Sequence, residues 1–160
     1  MNRYLSVLVM IISILGLFGC DAIGLRELKP GVSTGYDVRD KMGTPTMEWK
    51  NEDGSSTWEF ARTPEGRENY MITIGPDNIL REIRQVLTEE NFAKVEKGMT
   101  KDQVRRLLGK PATMRRFDLK KQEVWDWKFK NPHNAELYFN VHFDGGGAVV
   151  ETSRTEDHRG

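Results

Sequence analysis

Apolar residues recur with two different periods along the chain, and each half of the sequence shows both periods in the same order. In the first pattern, apolar residues fall at helical spacing, with Val38 and Met42 in one half and Val104, Leu107 and Leu108 in the other. This spacing places the apolar side chains of each stretch on one face. It therefore predicts a two-turn helix in each half, with that face turned inward.

Both stretches carry sequence signals for a helix start and a helix end. Thr34 with Asp37, and Thr100 with Gln103, have the spacing of a capping box. A glycine, at which we expect a left-handed residue, and a proline end each stretch: Gly43 and Pro45, Gly109 and Pro111. A further helix is predicted before each stretch, over about 22–28 and 89–95, with Thr88 as the cap of the second.

In the second pattern, apolar and polar residues alternate with period two, which is typical of half-buried strands. Trp58 and Phe60 share one face in the first half, as do Trp125, Trp127 and Phe129 in the second. Turn-rich segments and further strands follow in both halves, at 75–78, 79–87, 144–147 and 148–153. We therefore predict an α+β fold of two tandem modules, each with two short helices packed on a three- or four-stranded antiparallel sheet.

The two halves align as an internal repeat. Thr34, Val38, Gly43 and Pro45 each match a residue of the same type 66 positions later, and Trp58 matches Trp125 at an offset of 67. The shared order indicates a tandem duplication. The predicted organisation is a signal segment at 1–19, a first module at 20–87, a second module at 88–154 and a polar tail at 155–160.

The first 19 residues have the features of a secretory signal peptide. A basic start precedes an uncharged apolar run over 4–18, which as a helix would span about 22 Å, less than the about 30 Å of a bilayer core. The run ends in Leu17-Phe18-Gly19-Cys20, which resembles the bacterial lipobox. That resemblance implies cleavage before Cys20, a diacylglyceryl group on its thiol and an acylated new N-terminus. An uncleaved anchor, or an ordinary signal peptide with Cys20 as a free thiol, remains the alternative.

The expected location is the periplasmic side of a membrane, on this lipid tether, because several acyl chains anchor a protein stably. Asp21 follows the cysteine directly. In enteric bacteria an aspartate at this position is typical of lipoproteins that stay in the inner membrane. The sequence therefore leaves both the outer and the inner membrane open.

Charge and cysteine content exclude several classes of function. The chain has 24 Lys+Arg and 24 Asp+Glu, and removing 1–19 deletes Arg3 and no acid, which leaves 23 against 24. A net charge near zero argues against nucleic-acid binding. Cys20 is the single cysteine, so an internal disulfide and a four-cysteine zinc site are excluded.

No catalytic, metal, cofactor or small-molecule site is predicted. His133, His142 and His158 share no helical face, and His142 is expected to face solvent from a strand. The sequence has no phosphate loop and no serine nucleophile elbow. Glu123 and Asp126 are expected on a solvated surface. The sequence therefore does not predict an enzyme.

The candidate contact residues are basic and aromatic. Positive charge is densest at Arg105, Arg106, Arg115, Arg116, Lys120 and Lys121. Such a cluster could meet anionic lipid or an acidic partner, or be a solvated face. Trp49 lies in a polar stretch and is expected to be exposed, whereas Trp58, Trp125 and Trp127 are expected in the core. The candidate partner or lipid contacts are thus Arg105, Arg106, Arg115, Arg116 and Trp49.

The segment 96–111, EKGMTKDQVRRLLGKP, closely resembles the opening motif of the BamE (SmpA/OmlA) family. VWDW at 124–127 and VHFD at 141–144 resemble the sheet of that family, so that the resemblance covers about 88–153. It implies a small α+β module on a lipid tether at the outer membrane. Family members stabilise the β-barrel assembly machine by binding its other subunits and anionic lipid.

The duplication departs from that family, whose typical member has one module. Two modules in tandem are similar in layout to the β-lactamase inhibitor proteins, whose paired sheets form a concave surface that binds a protein. A periplasmic binding or inhibitor module that captures a protein across its two sheets is therefore the alternative function.

Overall fold

The computed structural model describes residues 20–62 and 65–156. The helices are α1 (Cys20–Glu27), α2 (Gly35–Met42), α3 (Glu89–Phe92) and α4 (Lys101–Leu108). The strands are β1 (Met47–Lys50), β2 (Ser56–Ala61), β3 (Asn69–Ile74), β4 (Leu80–Gln85), β5 (Thr113–Phe117), β6 (Gln122–Lys130), β7 (Glu136–Phe143) and β8 (Val149–Glu156). Among the described helices, none has the length and apolarity needed to cross a bilayer.

The strands form two antiparallel sheets in chain order. Sheet 1 has the order β1-β2-β3-β4 and sheet 2 the order β5-β6-β7-β8. We call sheet 1 with α1 and α2 the first module, and sheet 2 with α3 and α4 the second module. The predicted α+β fold of two tandem modules is confirmed, with four strands in each sheet.

Backbone details recur between the modules. The Gly31 N–H donates to the Leu80 carbonyl at 2.8 Å, and the Gly98 N–H donates to the Val149 carbonyl at the same distance. Each sheet also shifts register between its third and fourth strands. The internal repeat of the sequence is therefore a repeat of local structure.

The capping boxes form as predicted. The Thr34 hydroxyl accepts from the Asp37 N–H at 3.3 Å, and the Asp37 carboxylate accepts from the Thr34 N–H at 2.7 Å. This backbone hydrogen bond, followed by the one from the Thr34 side chain, lowers the pKa of Asp37. Thr100 and Gln103 make the same reciprocal pair at 3.2 and 2.8 Å.

The glycines after α2 and α4 have positive φ, as predicted, but their ψ values differ from a left-handed helix. Gly43 has φ 80° and ψ −154°, and Gly109 has φ 75° and ψ −168°. This region is essentially restricted to glycine. The two N–H groups donate to the carbonyls of Arg39 and Arg105, which closes the last turn of each helix.

Each module buries the face of its sheet that carries its helices, which we call the front face. The first core contains Leu28, Val38, Met42, Trp58, Phe60, Ile72, Ile74 and Leu80. The second contains Leu87, Phe92, Val104, Leu108, Trp125, Trp127, Phe129, Phe139, Val141, Phe143 and Val149. The core positions predicted for Trp58, Trp125 and Trp127 are confirmed.

Burial of residues on the opposite, back faces of the sheets was not expected. The prediction that Trp49 is exposed is wrong, because Trp49 packs with Met71 and Val86 on the back face of sheet 1. The prediction that Asp126 is solvated is also wrong, because Asp126 is 3% exposed on the back face of sheet 2. Trp49 also lies against Arg106 of α4, whereas Asp126 is covered by side chains of the neighbouring strands β5 and β7.

Two element boundaries also differ from the expected ones. The helix α3 ends at Phe92, earlier than the predicted end near 95. Strand β8 continues to Glu156, so that Thr155 and Glu156, expected in the polar tail, pair with β7. Residues 157–160 of that tail lie outside the described residues.

The helix α4 contacts both modules. Its Val104 and Leu108 side chains are buried in the second core, and Arg105 lies toward the back face of sheet 1. The Arg105 Nε and Nη2 groups donate to the two carboxylate oxygens of Glu59, each at 3.2 Å. The Glu59 side chain is fully buried, so its charge is compensated by the other module.

The end of α4 makes a second contact with sheet 1. The Asn69 Nδ2 group donates to the carbonyls of Leu108 and Lys110, at 2.8 and 3.0 Å. Carbonyls at the end of a helix have no partner within the helix, so this amide satisfies them. Gly109 permits the close approach, because a Cβ there would lie 2.8 Å from Asn69 Nδ2.

Two further contacts extend the interface. The Arg106 guanidinium lies 5.3 Å from the centre of the Trp49 ring, a cation–π arrangement. Arg106 also pairs with Asp102 at 2.8 Å. Arg67 of the first module pairs with Glu136 of the second. The two modules therefore share charged, polar and aromatic contacts along one interface.

The two glycines give a matched test of this interface. Gly43→Ala introduces only backbone strain, because no atom lies within 4 Å of its added Cβ. We expect this variant to lose about 1–3 kcal/mol of unfolding free energy in urea denaturation. Gly109→Ala adds the clash with Asn69 and should lose more. Equal losses for the two variants would contradict the close approach at Gly109.

The buried ion pair gives a second test. Arg105→Ala leaves the Glu59 carboxylate buried without a partner and should cost about 3–5 kcal/mol of unfolding free energy. The repeat-equivalent Arg39 pairs with exposed Glu48 and lies 4.3 Å from the Trp58 ring, so Arg39→Ala should cost about 1 kcal/mol.

A double variant, Glu59→Gln with Arg105→Met, controls for the charge. It should recover part of the stability lost in Arg105→Ala, because no charge then remains buried without a partner. Urea denaturation of the variants measures these differences. Similar losses for Arg105→Ala and Arg39→Ala would show that the buried pair does not hold the modules together.

Candidate interaction surfaces

The predicted lipid attachment point lies at the edge of the described structure. Cys20 is the first residue of α1, and its side chain, like residues 1–19, lies outside what the structure describes. Signal cleavage and lipidation of Cys20 therefore stay predictions. The rest of α1 contacts α2: Glu27 pairs with Lys41 at 2.8 Å, and a Cβ on Gly24 would lie 3.1 Å from the Lys41 carbonyl oxygen.

The five predicted contact residues do not form one surface. Arg105, Arg106 and Trp49 meet at the interface between the modules. Arg115 and Arg116 lie on β5, at an edge of sheet 2. The basic residues that are dense in the sequence are therefore divided between two separate places in the fold.

The end of β5 and the turn to β6 expose a group of apolar side chains. Met114 is 58% exposed, Phe117 43% and Leu119 fully exposed. We call residues 114–121 the hairpin tip. Its basic side chains are Arg115, Arg116, Lys120 and Lys121. Exposed apolar groups next to cations are typical of a surface that contacts a membrane or a partner.

Pairing reduces the charge of the hairpin tip only in part. Arg116 pairs with exposed Asp118 at 3.1 Å, a contact that is screened by solvent. Arg115 pairs with Asp126 at 2.9 Å. The cations were predicted from the sequence but the apolar residues among them were not, although Met114, Phe117 and Leu119 are interspersed with charged residues.

The back face of sheet 2 has a polar network centred on Asp126. The Asp126 carboxylate accepts hydrogen bonds from the Thr113 hydroxyl at 2.6 Å, Arg115 Nε at 3.1 Å and Asn140 Nδ2 at 2.6 Å. One of the donors carries a full positive charge, so the buried carboxylate is compensated within its own module. Glu59 differs in this respect, because its arginine comes from the other module.

The network continues across β7 and β8. The Asn140 Oδ1 atom accepts from the hydroxyls of Ser153 at 3.4 Å and Thr155 at 3.2 Å. His142 Nε2 lies 3.1 Å from the Ser153 hydroxyl. His142 is therefore half-buried in a hydrogen-bonded row, rather than a freely solvated strand residue as expected.

On the front face of the second module, a charged contact ties α4 to sheet 2. Lys101 Nζ lies 2.5 Å from one Glu123 oxygen, and Trp125 Nε1 donates to the other at 2.5 Å. The hydrogen bond from Lys101, and then the one from Trp125, lower the pKa of Glu123. The residues that the structure describes include no group of three or more His, Cys, Asp or Glu side chains placed to hold a metal ion.

Comparison with known proteins gives one family match and several structural similarities. The family model for the outer membrane protein assembly factor BamE domain matches residues 85–153. No curated protein matches the chain. A solved structure described as an osmotically inducible lipoprotein, OsmE, is 26% identical over 44% of this chain and 82% of its own, with a TM-score of 0.39.

A second solved structure is described as a β-lactamase inhibitor protein from Streptococcus mutans. It is 11% identical over 84% of this chain and 94% of its own, with a TM-score of 0.33. The family match spans α3 and α4 and sheet 2 as far as residue 153, and it includes the whole motif at 96–111. The resemblance noted in the sequence is confirmed, because residues 85–153, which make up most of the second module, match the family model of the BamE domain.

Proposed function

We propose that this chain is a non-enzymatic lipoprotein that faces the periplasm and stabilises the outer-membrane β-barrel assembly machinery by binding its subunits and anionic lipid. The observation that carries the proposal is the BamE domain at 85–153. The lipobox-like sequence that ends at Cys20 supports a lipid anchor. The outer membrane is the location that this domain favours, while Asp21 keeps the inner membrane as the alternative.

A lipid on Cys20 would be joined directly to the first module. Helix α1 begins at Cys20 and contacts α2 through Glu27 and Lys41, so no long linker separates the proposed lipid from the first module. The Arg105–Glu59 pair then joins the second module to the first. A lipid on Cys20 would thus hold the first module near the membrane and leave the BamE domain to bind partners.

The hairpin tip is the proposed contact surface of that domain. Leu119 and Phe117 can enter an apolar groove or the outer layer of a membrane, and Arg115 and Arg116 can meet anionic groups beside them. Arg105, Arg106 and Trp49 take another role in this proposal. They join the modules and so position the tip.

The alternative is a periplasmic module that binds or inhibits a protein outside the assembly machinery. The tandem arrangement of two sheets and the presence of Asp21 favour this reading. In both readings the chain acts by binding. They differ in the identity of the protein bound and in the membrane that holds the anchor.

Affinity capture from crosslinked membranes tests the proposal. The tagged wild-type chain should recover subunits of the barrel-assembly machinery, and Cys20→Ala should lose them because the anchor is absent. Leu119→Asp should weaken recovery, since it places a charge in the apolar contact. Val32→Asp is the matched control, because Val32 is also exposed, at 72%, but lies in the first module. Recovery of an unrelated periplasmic protein without those subunits would favour the alternative.

A further inference from the structure

The two back faces occupy equivalent places in the repeat but differ in what covers them. Each has a buried acid on its second strand: Glu59 lies opposite Met71 in sheet 1, and Asp126 lies opposite Asn140 in sheet 2. In sheet 1, α4 covers the acid and supplies Arg105 as its partner. The chain itself thus shows that this face of the module can receive another segment of protein.

In the described ranges of the chain, the equivalent face of sheet 2 is open. It forms a cleft of about 180 Å³ whose rim includes Arg115, 58% exposed, and Phe117, 43% exposed. The buried Val124 side chain contributes an apolar surface inside the cleft. The other lining residues are Lys120, Gln122, Asn140, His142, Ser153 and Thr155.

Substitutions between the repeats have changed the chemistry of this face. The ladder register places Arg115, Asn140 and Thr155 of sheet 2 where sheet 1 has Trp49, Met71 and Val86. The apolar set packs beneath α4, whereas the polar set forms the hydrogen-bonded network around Asp126. The cleft of sheet 2 therefore suits an occupant that is more polar than α4.

The charge of the cleft indicates the sign of that occupant. The ionisable residues in its lining are Arg115, Lys120 and His142, all of them bases. Asp126 lies behind this lining and is already bound by three donors, including Arg115. In sheet 1 the acid comes from the sheet and the base comes from α4. At the equivalent place on sheet 2 the exposed charge of the sheet is positive, so the occupant would have to supply the acid.

We propose that the back face of sheet 2 docks an acidic segment of a partner protein, with a carboxylate toward Lys120 and Arg115 and an apolar side chain against Phe117 and Val124. A second copy that docked through its α2, as α4 docks on sheet 1, would bring its Arg39, the repeat-equivalent of Arg105, toward Arg115, and this repulsion disfavours that arrangement. The inference rests on the proposed function only in expecting a protein partner, and it specifies the chemistry by which that partner is recognised.

Carbodiimide coupling in isolated envelope membranes tests this chemistry. The reagent activates a carboxyl group of the partner. The Lys120 amine then attacks the activated carbonyl carbon to form an amide, and the reagent leaves as a urea. A phosphate diester of a phospholipid gives no such amide. We expect mass spectrometry to find Lys120 joined to an aspartate or glutamate of one partner segment. Lys97, an exposed lysine outside the cleft, is the internal control and should give no specific product.

The captured segment then serves as a synthetic peptide for titration of the purified chain. Lys120→Glu should weaken binding by about tenfold or more, because like charges oppose each other across the contact. Lys97→Glu makes the same change of charge outside the cleft and should leave the affinity unchanged. A peptide with glutamine in place of the coupled acid should also bind more weakly, and added salt should reduce the affinity of the acidic peptide.

Three results would overturn the inference. Coupling at Lys97 as efficient as at Lys120 would mean that the cleft does not recognise an acidic segment. Coupling of Lys120 to another copy of this chain would mean self-association. Protection of Lys120 by anionic phospholipid vesicles, without any amide to a protein, would assign the cleft to lipid. The identity of the captured protein separately decides whether the assembly machinery is the partner.

Discussion

Glu59 is fully buried in sheet 1, and the arginine that compensates its charge comes from a helix of the other module. A buried carboxylate without a partner costs several kcal/mol, so the first module depends on the second for this interaction. The contact of Asn69 with the end of α4 adds a second dependence. The relative position of the two sheets, and of every surface described above, follows from these contacts.

The two modules have the same order of helices and strands but different back faces. Sheet 1 carries Trp49 and Met71, which pack beneath α4, while sheet 2 carries Arg115 and Asn140 at the equivalent positions. Terminal units of repeat proteins commonly have a polar outer face, because no further unit covers them. Sheet 2 has this character, and its bases give the open face a binding preference as well as solubility.

Features that depend on neighbouring residues were predictable from the sequence. The capping boxes at Thr34 and Thr100, the glycines that end α2 and α4, and the alternation that buries Trp58 all arise from spacing within a few residues. The sheets then follow, since the strands pair in chain order through short turns. The BamE motif also consists of residues that are close together in the sequence, and it identified the second module.

Features of the back faces were not predictable in the same way. Trp49 lies against Arg106 as well as Met71 and Val86, and Glu59 is bound by Arg105, 46 residues further along the chain. Local polarity around Trp49 does not reveal these contacts. One signal was present, however: Glu59 and Asp126 each stand between aromatic residues at the same position of the repeat. An acid retained at that place in both halves indicates a buried, partnered carboxylate rather than a solvated one.

Native-state hydrogen exchange tests most directly the claim that the modules form one cooperative unit. If they do, slowly exchanging amides of β3 in sheet 1 and of β7 in sheet 2 will open with the same free energy and the same dependence on denaturant. That result would support one rigid body positioned by the Glu59–Arg105 contact. Opening of sheet 1 at a lower free energy, with a smaller dependence on denaturant than sheet 2, would contradict the account.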